Sequence, residues 1–542
     1  MKKADIVLKS NAIFSGTTDK VFNGGIAVRG NKIVSVGSDS VIDEWICSDT
    51  KVFKYDDELI LPGLIDSHMH PFMGALVHSD YTIPLFDTRS EAQCAQIVKD
   101  YADKHPEFDK IVGMGWFPAS WDNSHVLPSC SSLDAVVPDK PVYLLATDGH
   151  TFWLNSRALA ECHITKDTKV SFGEIGKDAN GRLNGLLFEI EAQAPAFEKA
   201  FSDFPFEVMK QIQEDFYKKV SKNGITSITN MSTSPIAEKS FKEIEVAADL
   251  ERAGKLTARL HLYPSLGIDT SFDSVRKLKE KYHSDTLRVS GLKQFVDGVT
   301  STYSAYLLEP YQDRPQTAGF SNYPADFYKE RVAKANREGF SVRLHAVGDA
   351  AVRIALDAYE RSNQFNDNRN IRNTIEHIEN INAADIARFS QLGVVPSMQP
   401  RHLIIEDNEK IQRLGEERCK YEWPHKSLID SGATLAFSSD FPIVDINPFP
   451  NIYAAVTRCD DQGRLSGINP QEKISVAQAL RAYTFGSAFA IHRETQLGTL
   501  ETGKLADIVV LDKNLFDVPH EQIPTTRVKL TMMNGKIVYR TP

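Results

Sequence analysis

Eight short apolar runs with strand character constrain the fold of this chain more than any other feature. Amphipathic helical stretches separate most of them, for example DSVRKLKEKYH at 273–283 and AAVRIALDAYERS at 350–362. Strands that alternate with helices form parallel βα units. Eight such units predict an α/β protein with a closed (β/α)8 barrel of the TIM type, whose active site lies at the carboxyl ends of its strands. The eight runs are 64–70, 224–231, 257–265, 289–298, 340–348, 373–379, 393–400 and 433–440.

The two ends of the chain have a residue pattern that differs from that of the middle. Alternating apolar runs broken by Gly and Asn occur near the start, in ADIVLKSNAIFSG and GGIAVRGNKIVSVGS, and near the end, in GKLADIVVLD and VKLTMMNGKIVYR. Such runs are typical of hairpins, and Asn534-Gly535 is a favoured two-residue turn. We therefore expect residues 1–61 and 495–542 to form one small β-sandwich domain, with the barrel at 62–494.

One connection within the barrel is too long to be a simple loop. About 140 residues separate the first and second strands, whereas unstructured loops rarely exceed about 15 residues. The segment at about 75–215 is therefore predicted to be an inserted, lid-like subdomain that leaves the catalytic face.

Composition limits the possible partners. The formal net charge of −10 argues against nucleic acid or an anionic membrane as the main partner. No stretch approaches the roughly 18 apolar residues of a membrane span, and the amino-terminal segment lacks the apolar core of a signal peptide. The 6 cysteines form no CxxC pair, which favours reduced thiols. These features predict a cytoplasmic protein that acts on a small molecule.

The first barrel run ends in the sequence LIDSHMH. In a strand His68 and His70 point to one face and Met69 to the other, and the two Cα atoms lie about 6.6 Å apart. Both imidazoles can then reach one metal ion. Taken alone, such a pair can equally well stabilise a turn or satisfy polar groups in the core, so the neighbouring residues must decide.

Other residues of metal-ligand type fall at the same end of the predicted barrel. His345 ends the fifth strand, His377 the sixth and Asp440 the eighth, while Lys293 lies on the fourth. Histidines and a carboxylate suit a divalent ion of the zinc type with an open position for water. Such an ion can lower the pKa of a bound water from about 15.7 to about 7, which supplies a hydroxide nucleophile. A nearby carboxylate can take its proton, and Asp440 is the natural candidate.

The motifs LPGLIDSHMHP, SVRLHAVGDAA, TIEHIE and FSSDFP together resemble the amidohydrolase superfamily over almost the whole chain. GWFPASWD, DGHTFWLNSRAL, LKQFVDGVTS, PSMQPRH and GTLETGKLADIVVLD are similar to its third amidohydrolase family, in the branch that includes N-substituted formamide deformylases. The resemblance says little about the substrate.

The resemblance also implies a ligand set. It assigns His68 and His70 to the more buried metal, His345 and His377 to a second metal, and Asp440 to metal binding and proton transfer. It implies one or two divalent ions, with zinc as the expected metal, and a homodimer. In binuclear members a carboxylated lysine on the fourth strand bridges the metals, and Lys293 stands at that position.

Lys293 also has an interpretation of its own. Burial lowers the pKa of a lysine, and the neutral amine can add carbon dioxide to become a bridging carbamate, N6-carboxylysine. The alternative is a salt bridge with Asp297 or another acid.

The insertion supplies candidate substrate contacts. His150, in DGHTFW, could polarise a carbonyl oxygen or hold a substrate acid. Apolar walls are usual in small-molecule sites, and the aromatic candidates for one are Trp116, Trp153 and Phe72. Each of these aromatics could equally belong to the insertion's core. Gln399 and Arg401, just after the seventh strand, are further candidates.

These observations predict a metal-dependent amidohydrolase that cleaves a C–N bond of an amide, formamide, cyclic amide or carbamate, with Asp440 and His150 as catalytic residues. Two alternatives stay open. A deaminase or another hydrolase needs nearly the same ligands on the same scaffold, and some relatives keep the barrel as metal-free assembly proteins.

Overall fold

Strands from both ends of the chain lie in one sheet. The computed structural model describes residues 3–122, 126–170, 173–201, 204–231, 241–365, 371–404, 407–460, 462–464 and 469–541. Within these residues the terminal sheet has the strand order β23-β22-β21-β5-β1-β2-β3, with β4 paired to β1. A short helix, α1 (Asp39–Asp43), follows β3. The strands are β1 (Ile6–Ile13), β2 (Phe22–Arg29), β3 (Lys32–Gly37), β4 (Lys51–Lys54), β5 (Leu59–Pro62), β21 (Ile508–Leu511), β22 (Val528–Met533) and β23 (Lys536–Arg540).

The hydrogen bonds join these strands into a single branched sheet, and the β-sandwich arrangement of this domain stays a prediction. The hairpin at Asn534-Gly535 is present, with Met533 opposite Lys536. The amino- and carboxyl-terminal strands meet where β5 pairs with β21. A buried ion pair fastens this sheet to the barrel, since the Arg259 guanidinium donates to both carboxylate oxygens of Asp507 at 2.9 and 3.0 Å.

The strands predicted for the barrel are all present and parallel. They form two sheets, with the orders β15-β14-β13-β6 and β16-β17-β18-β19-β20. The sheets adjoin at both edges, through a parallel bridge between Ser265 and Lys293 and through the Asp440 N–H, which donates to the His68 carbonyl. The predicted fourth strand is split in two. The strands are β6 (Leu64–Met69), β13 (Ile225–Met231), β14 (Arg259–Tyr263), β15 (Leu287–Val289), β16 (Gly291–Phe295), β17 (Ser341–Ala346), β18 (Thr374–His377), β19 (Val395–Met398) and β20 (Ala436–Phe437).

Amphipathic helices cover these strands, and their apolar faces join the main core with the strands. Their ends follow capping rules: the Asn382 side chain accepts from Ala384 N at the start of α12, and Gly393 takes the left-handed conformation at its end. The helices are α7 (Phe206–Lys222), α8 (Phe241–Arg252), α9 (Phe272–Lys281), α10 (Ala325–Arg337), α11 (Asp349–Phe365), α12 (Ala383–Leu392), α13 (Asp407–Leu414), α14 (Glu416–Cys419), α15 (His425–Asp430), α16 (Pro448–Thr457), α17 (Val476–Arg481) and α18 (Ser487–Ala490). The sequence IAEKSFKEIEVAADLERAG, at 236–254, also has the amphipathic pattern of a helix, and its first residues, 236–240, lie outside the described residues.

The long connection after β6 folds around a sheet of its own. Its strands have the order β11-β12-β10-β9-β8-β7 in the described part of the segment. A separate apolar cluster that contains Trp116 and Trp153 lies on this sheet. The strands are β7 (Ile83–Pro84), β8 (Ile111–Trp116), β9 (Val142–Ala146), β10 (Thr151–Leu154), β11 (Glu174–Lys177) and β12 (Leu183–Phe188), and the helices are α2 (Pro71–Val77), α3 (Glu91–Lys104), α4 (Cys130–Val136), α5 (Ser156–Glu161) and α6 (Glu189–Phe201).

The chain thus has a TIM-barrel-type α/β core, and the carboxyl ends of its parallel strands carry His68, His345, His377 and Asp440 to one mouth. In the described residues, no helix combines the length and the apolar character that crossing a bilayer requires.

Candidate metal centre

His68 and His70 are each anchored through one ring nitrogen. The Nδ1–H of His68 donates to Glu376 Oε2 at 2.8 Å, and that of His70 donates to the Met231 carbonyl at 2.8 Å. Their Nε2 atoms both lie 3.3 Å from Asp440 Oδ1. An acceptor on one nitrogen fixes the tautomer, so each ring presents a lone pair on the other nitrogen. Met69, between them, is fully buried in the main core.

His345 and His377 repeat this arrangement. The Nε2–H of His345 donates to the Gly298 carbonyl at 3.1 Å, which leaves Nδ1 as the acceptor. The Nδ1–H of His377 donates to Gln399 Oε1 at 2.9 Å, which leaves Nε2 as the acceptor nitrogen. The two ring centres are 4.5 Å apart, and the His377 ring is 5.0 Å from that of His68. All four predicted histidines therefore meet at one mouth.

Burial keeps three of these imidazoles neutral. It lowers the pKa of His68, His345 and His377 well below the usual value, with the Lys293 charge adding to the effect at each ring. Neutral imidazole is the form that binds metal ions.

The backbone at Asp440 is strained where it brings the carboxylate to the four histidines. Its φ is 56°, and that of His377 is 75°. Non-glycine residues in this region cost on the order of 1–3 kcal/mol and are concentrated at functional sites. Ser439, next to Asp440, donates its hydroxyl to the buried Asp66 carboxylate at 2.6 Å and so holds the turn.

The Asp440 carboxylate is buried with the histidines around it. Burial alone would raise its pKa, but His68 and His70 outweigh burial and hold the pKa of Asp440 well below its usual range. Oδ1 accepts no hydrogen bond from the described residues. The carboxylate is therefore ionised and directed at the histidine nitrogens.

Lys293 is 1% exposed, and its Nζ has no hydrogen-bond partner among the described residues. Burial lowers the pKa of Lys293 to about 8. The Asp297 carboxylate, the alternative partner, instead accepts backbone N–H groups of Tyr306, Val347 and Gly348. In the described structure Lys293 is thus a buried amine without an acid to bind it.

These donors fit a divalent ion. Two groups of ligand atoms lie within 4.8 Å of one another, His68-His70-Asp440 and His377-His402-Asp440. Zinc bonds of about 2.0–2.1 Å in tetrahedral geometry place neighbouring ligand atoms about 3.3 Å apart, and the distance from either Nε2 to Asp440 Oδ1 is 3.3 Å. A bound metal ion would satisfy the histidine nitrogens that are not anchored, the buried Asp440 Oδ1 and the Lys293 amine.

His150 faces this centre from the insertion. Its ring centre is 5.5 Å from that of His345, and its Nδ1–H donates to Glu189 Oε2 at 2.8 Å. Burial alone would lower the pKa of His150, but the Glu189 carboxylate outweighs burial and raises it to about 9. His150 is therefore a cation at neutral pH, with Nε2–H as its second donor.

A small cavity, here called the mouth cavity, lies over the ligands. It has a volume of about 100 Å³, and its lining includes His150, Phe295 and Lys410 beside the predicted ligands.

The other predicted substrate contacts do not line the mouth cavity. Trp116 and Trp153 pack in the insertion's own core, and each indole N–H donates to a backbone carbonyl. Phe72 is 4% exposed in the main core. Gln399 holds His377 and donates to Ser438 Oγ at 2.8 Å. Arg401 is half-buried and does not line the mouth cavity.

Sequence reasoning gave no role to several residues that the fold brings here. Glu376 accepts a hydrogen bond from His68 on one carboxylate oxygen and one from Arg343 on the other. His402 places an unpartnered, buried Nε2 4.0 Å from Asp440 Oδ2. Only the motifs TIEHIE and PSMQPRH, in which Glu376 and His402 stand, could have pointed to them.

A family model described as "Amidohydrolase family" matches residues 56–539. Among curated proteins, the chain is 30% identical to Protein LONG AFTER FAR-RED 3 of Arabidopsis thaliana, over 99% of this chain and 92% of that one. It is 28% identical to the putative amidohydrolase YtcJ of Bacillus subtilis, over 91% of each chain. It is 25% identical to the N-substituted formamide deformylase of Arthrobacter pascens, over 95% and 94%.

A solved structure has the same overall arrangement. An uncharacterized metal-dependent hydrolase of Pyrococcus furiosus superimposes with a TM-score of 0.71 at 26% identity, over 93% of this chain and 98% of that one. The likeness extends across the terminal sheet, the insertion and the barrel, because it covers nearly the whole of both chains.

Proposed function

Since the chain belongs to the amidohydrolase family, we propose that it is a metal-dependent hydrolase that cleaves a C–N bond of a small amide, with an N-substituted formamide as the leading substrate class. Support for a deformylase-like substrate comes from the Arthrobacter relative, whose name states that chemistry. Support for metal dependence comes from the donor set and from the description of the Pyrococcus structure.

One observation carries the proposal. Three buried histidines and the partly buried His70 are each fixed through one nitrogen, and the ionised Asp440 carboxylate lies among them. This arrangement has no purpose in a purely structural protein, because buried lone pairs and a buried charge without partners cost stability.

The residues that would hold the ions are His68, His70, Lys293, His345, His377 and Asp440. Zinc suits these nitrogen and oxygen donors, and when bound it supplies Lewis acidity toward a carbonyl oxygen and lowers the pKa of water. Lys293 would contribute as a carbamate, whose two oxygens can bind two ions.

Asp440 is the proton carrier of the reaction. It can accept a proton at Oδ2 from the attacking water and deliver it to the departing nitrogen, because Oδ1 is the oxygen directed at His68 and His70. A departing amine needs that proton, since an amide anion is a very poor leaving group.

His150 binds the carbonyl side of the substrate. Its cationic ring is fixed by Glu189 and can aim Nε2–H at oxygen that gains negative charge in the transition state. Such a donor stabilises the oxyanion without reorganisation, because Glu189 is itself held by the Thr302 and Ser304 hydroxyl groups.

The test is a hydrolysis screen of zinc-loaded protein against N-formyl, N-acyl, cyclic-imide and carbamate compounds. The expected result is release of a carboxylate and an amine in equal amounts, strongest for the N-formyl compounds. Asp440→Asn is the inactive comparison, and Lys279→Ala, on the distant helix α9, is the matched control.

Two results would overturn the proposal. Release of ammonia from a C–NH2 carbon, with no amide cleaved, would assign a deaminase. Protein that stays free of metal in zinc-containing buffer would assign a non-catalytic role.

A further inference from the structure

His402 lines the mouth cavity but has no role in the proposed function. It stands in the motif PSMQPRH, on a short 3-10 helix after β19, Pro400–Ile404. The residue is 9% exposed, and its Nε2 is buried without a hydrogen-bond partner among the described residues. A buried polar atom without a partner lowers stability, so the position of this nitrogen indicates that a ligand satisfies it.

The backbone fixes His402 relative to His377. The His402 N–H donates to the Gln399 carbonyl at 3.0 Å, and the Arg401 N–H donates to Asn451 Oδ1 at 3.0 Å. The side chain of the same Gln399 accepts from His377. The rings of His377 and His402 are nearly parallel, with an angle of 15° and 6.1 Å between their centres. His402 therefore holds a defined place beside the predicted ligands.

Nε2 of His402 faces the Asp440 carboxylate. The distance from Nε2 to Oδ2 is 4.0 Å, which is longer than a hydrogen bond, so the ring does not donate to the carboxylate. Burial lowers the pKa of His402 and keeps the ring neutral, while a hydrogen bond to the Ser439 backbone engages its N–H. Because Nε2 has no partner, the proton is on Nδ1 and Nε2 is an acceptor. Two acceptors thus face each other across a gap that one protonated nitrogen can fill, at about 2.9 Å from each.

His150 and His402 lie on either side of two central histidines. The ring centre of His150 is 5.5 Å from that of His345, which is 4.5 Å from that of His377, and the His402 ring follows. In the usual trans form of a planar amide, the N–H points away from the carbonyl oxygen. An amide whose oxygen meets His150 therefore directs its N–H toward His402.

The surrounding space agrees with this orientation. The mouth cavity holds about 100 Å³, whereas small-molecule sites usually enclose about 300–1,000 Å³, so it accommodates the amide and little more. A second cavity of about 490 Å³ lies beside it, with Asp148 in both linings and Glu189, which holds His150, in its own. In a trans amide the substituent on nitrogen lies on the side of the oxygen. The substituent is thus directed toward the second cavity.

We propose that His402 is a catalytic residue whose Nε2 accepts a hydrogen bond from the N–H of the scissile amide. This inference rests on the proposed function, and it places the nitrogen beside Asp440 Oδ2. Asp440 delivers to this nitrogen the proton that it took from the attacking water. The C–N bond then breaks with its electron pair kept on nitrogen, and a neutral amine departs. Positive charge on the protonated nitrogen strengthens its hydrogen bond to His402 before the bond breaks. The substrate class is then an amide with one substituent on nitrogen, foremost the formamide of a primary amine.

A matched pair of compounds tests the proposal. Zinc-loaded full-length protein would hydrolyse N-(2-phenylethyl)formamide and its N-methyl derivative, which lacks the N–H. His402→Phe keeps the shape of a ring and removes the acceptor, so the ratio of kcat/KM for the two compounds should fall about 10- to 100-fold through the first compound alone. His402→Gln, which keeps an acceptor oxygen near the place of Nε2, should restore part of the ratio. The exposed His520→Gln is the matched control and should leave the ratio unchanged.

Zinc content separates this role from metal binding, because His402 also stands in the ligand group His377-His402-Asp440. Selective loss for the N–H compound, with the zinc content of wild type, supports the proposal. Loss of an equivalent of zinc in His402→Phe assigns His402 as a ligand and overturns it. An equal loss for both compounds, or no loss, also overturns it. His402→Leu, which is smaller, gives the same comparison where the phenylalanine ring does not fit.

Binding to chelated protein keeps the two proposals distinguishable, because its readout does not depend on turnover. In ligand-observed NMR titrations the N–H compound should bind more tightly than its N-methyl derivative, and His402→Phe should remove the difference. Such binding, without hydrolysis of either compound by zinc-loaded protein, refutes the proposed function and keeps the nitrogen site. Hydrolysis at a ratio that His402→Phe does not change refutes the nitrogen site and keeps the function. Neither hydrolysis nor His402-dependent binding refutes both.

Discussion

Lys293 gives the sharpest test of the metal centre, because two explanations of it predict opposite results. Burial lowers its pKa from the ordinary 10.5 to about 8. At pH 7 the neutral amine is then about 9% of the population instead of about 0.03%, an increase of roughly 300-fold. Only the neutral amine attacks carbon dioxide, with loss of one proton to form the carbamate.

The assay is reconstitution of metal-free protein with zinc and ¹³C-labelled bicarbonate, followed by ¹³C NMR for a carbamate carbon. At constant dissolved carbon dioxide, the initial rate of carbamate formation should rise with pH and level off above about pH 8, because the fraction of neutral amine saturates above the lowered pKa. Lys293→Ala should lose the signal and at least one equivalent of zinc, and a short-chain carboxylic acid should partly restore activity.

Lys279→Ala is the matched control. Its amine, on helix α9, also has a pKa lowered by burial, but it donates to the Gly339 carbonyl, away from the metal ligands. A carbamate signal that persists in Lys293→Ala, or wild-type zinc content in that variant, would refute the reasoning.

Four further predictions concern the same centre. Elemental analysis should find one to two equivalents of zinc or a similar ion, and chelation should abolish hydrolysis; full activity of metal-free protein would contradict the site. Asp440→Asn should keep the fold and much of the metal yet lose activity by about 10²- to 10⁴-fold, and recovery at saturating zinc would show that Asp440 is only a ligand. His150→Ala should lower turnover with normal zinc content, whereas loss of both would make His150 structural. The pKa of His150 is raised from 6.5 to about 9, so the His150–Glu189 ion pair contributes its full stability below about pH 6.5 and loses it as pH rises through 9. The difference in the free energy of unfolding between wild type and Glu189→Gln, measured in urea, should therefore shrink from pH 6 to pH 10. A constant difference would contradict the charged pair.

The candidate ligand residues were accessible from the sequence because their positions follow from local rules. Alternation along a strand puts His68 and His70 on one face and Met69 on the other. Parallel strands bring their carboxyl ends to one edge. The family resemblance read from the motifs is confirmed by the match to residues 56–539. The regular part of the fold was predictable for the same reason, since hydrophobic periodicity encodes it.

The substrate side was less accessible. Trp116, Trp153 and Phe72 have the composition of a pocket wall, but the first two pack in the insertion's own core and the third in the main core. The sequence around an aromatic residue does not distinguish a pocket wall from a packed core. His402 and Glu376 gave no separate signal, because each acts through a partner that is distant in the chain.

Spacing along a few residues was enough to predict the parallel strand-and-helix pattern, the terminal strands and the metal-ligand candidates. Long-range contacts set which nitrogen of each histidine is free, leave Lys293 without a bound acid in the described residues, and bring two cavities together at Asp148. Those properties depend on contacts between residues far apart in the chain, such as His68 with Glu376 and Asp148 with Ser301. Burial and pKa follow from such contacts, and no local pattern specifies them.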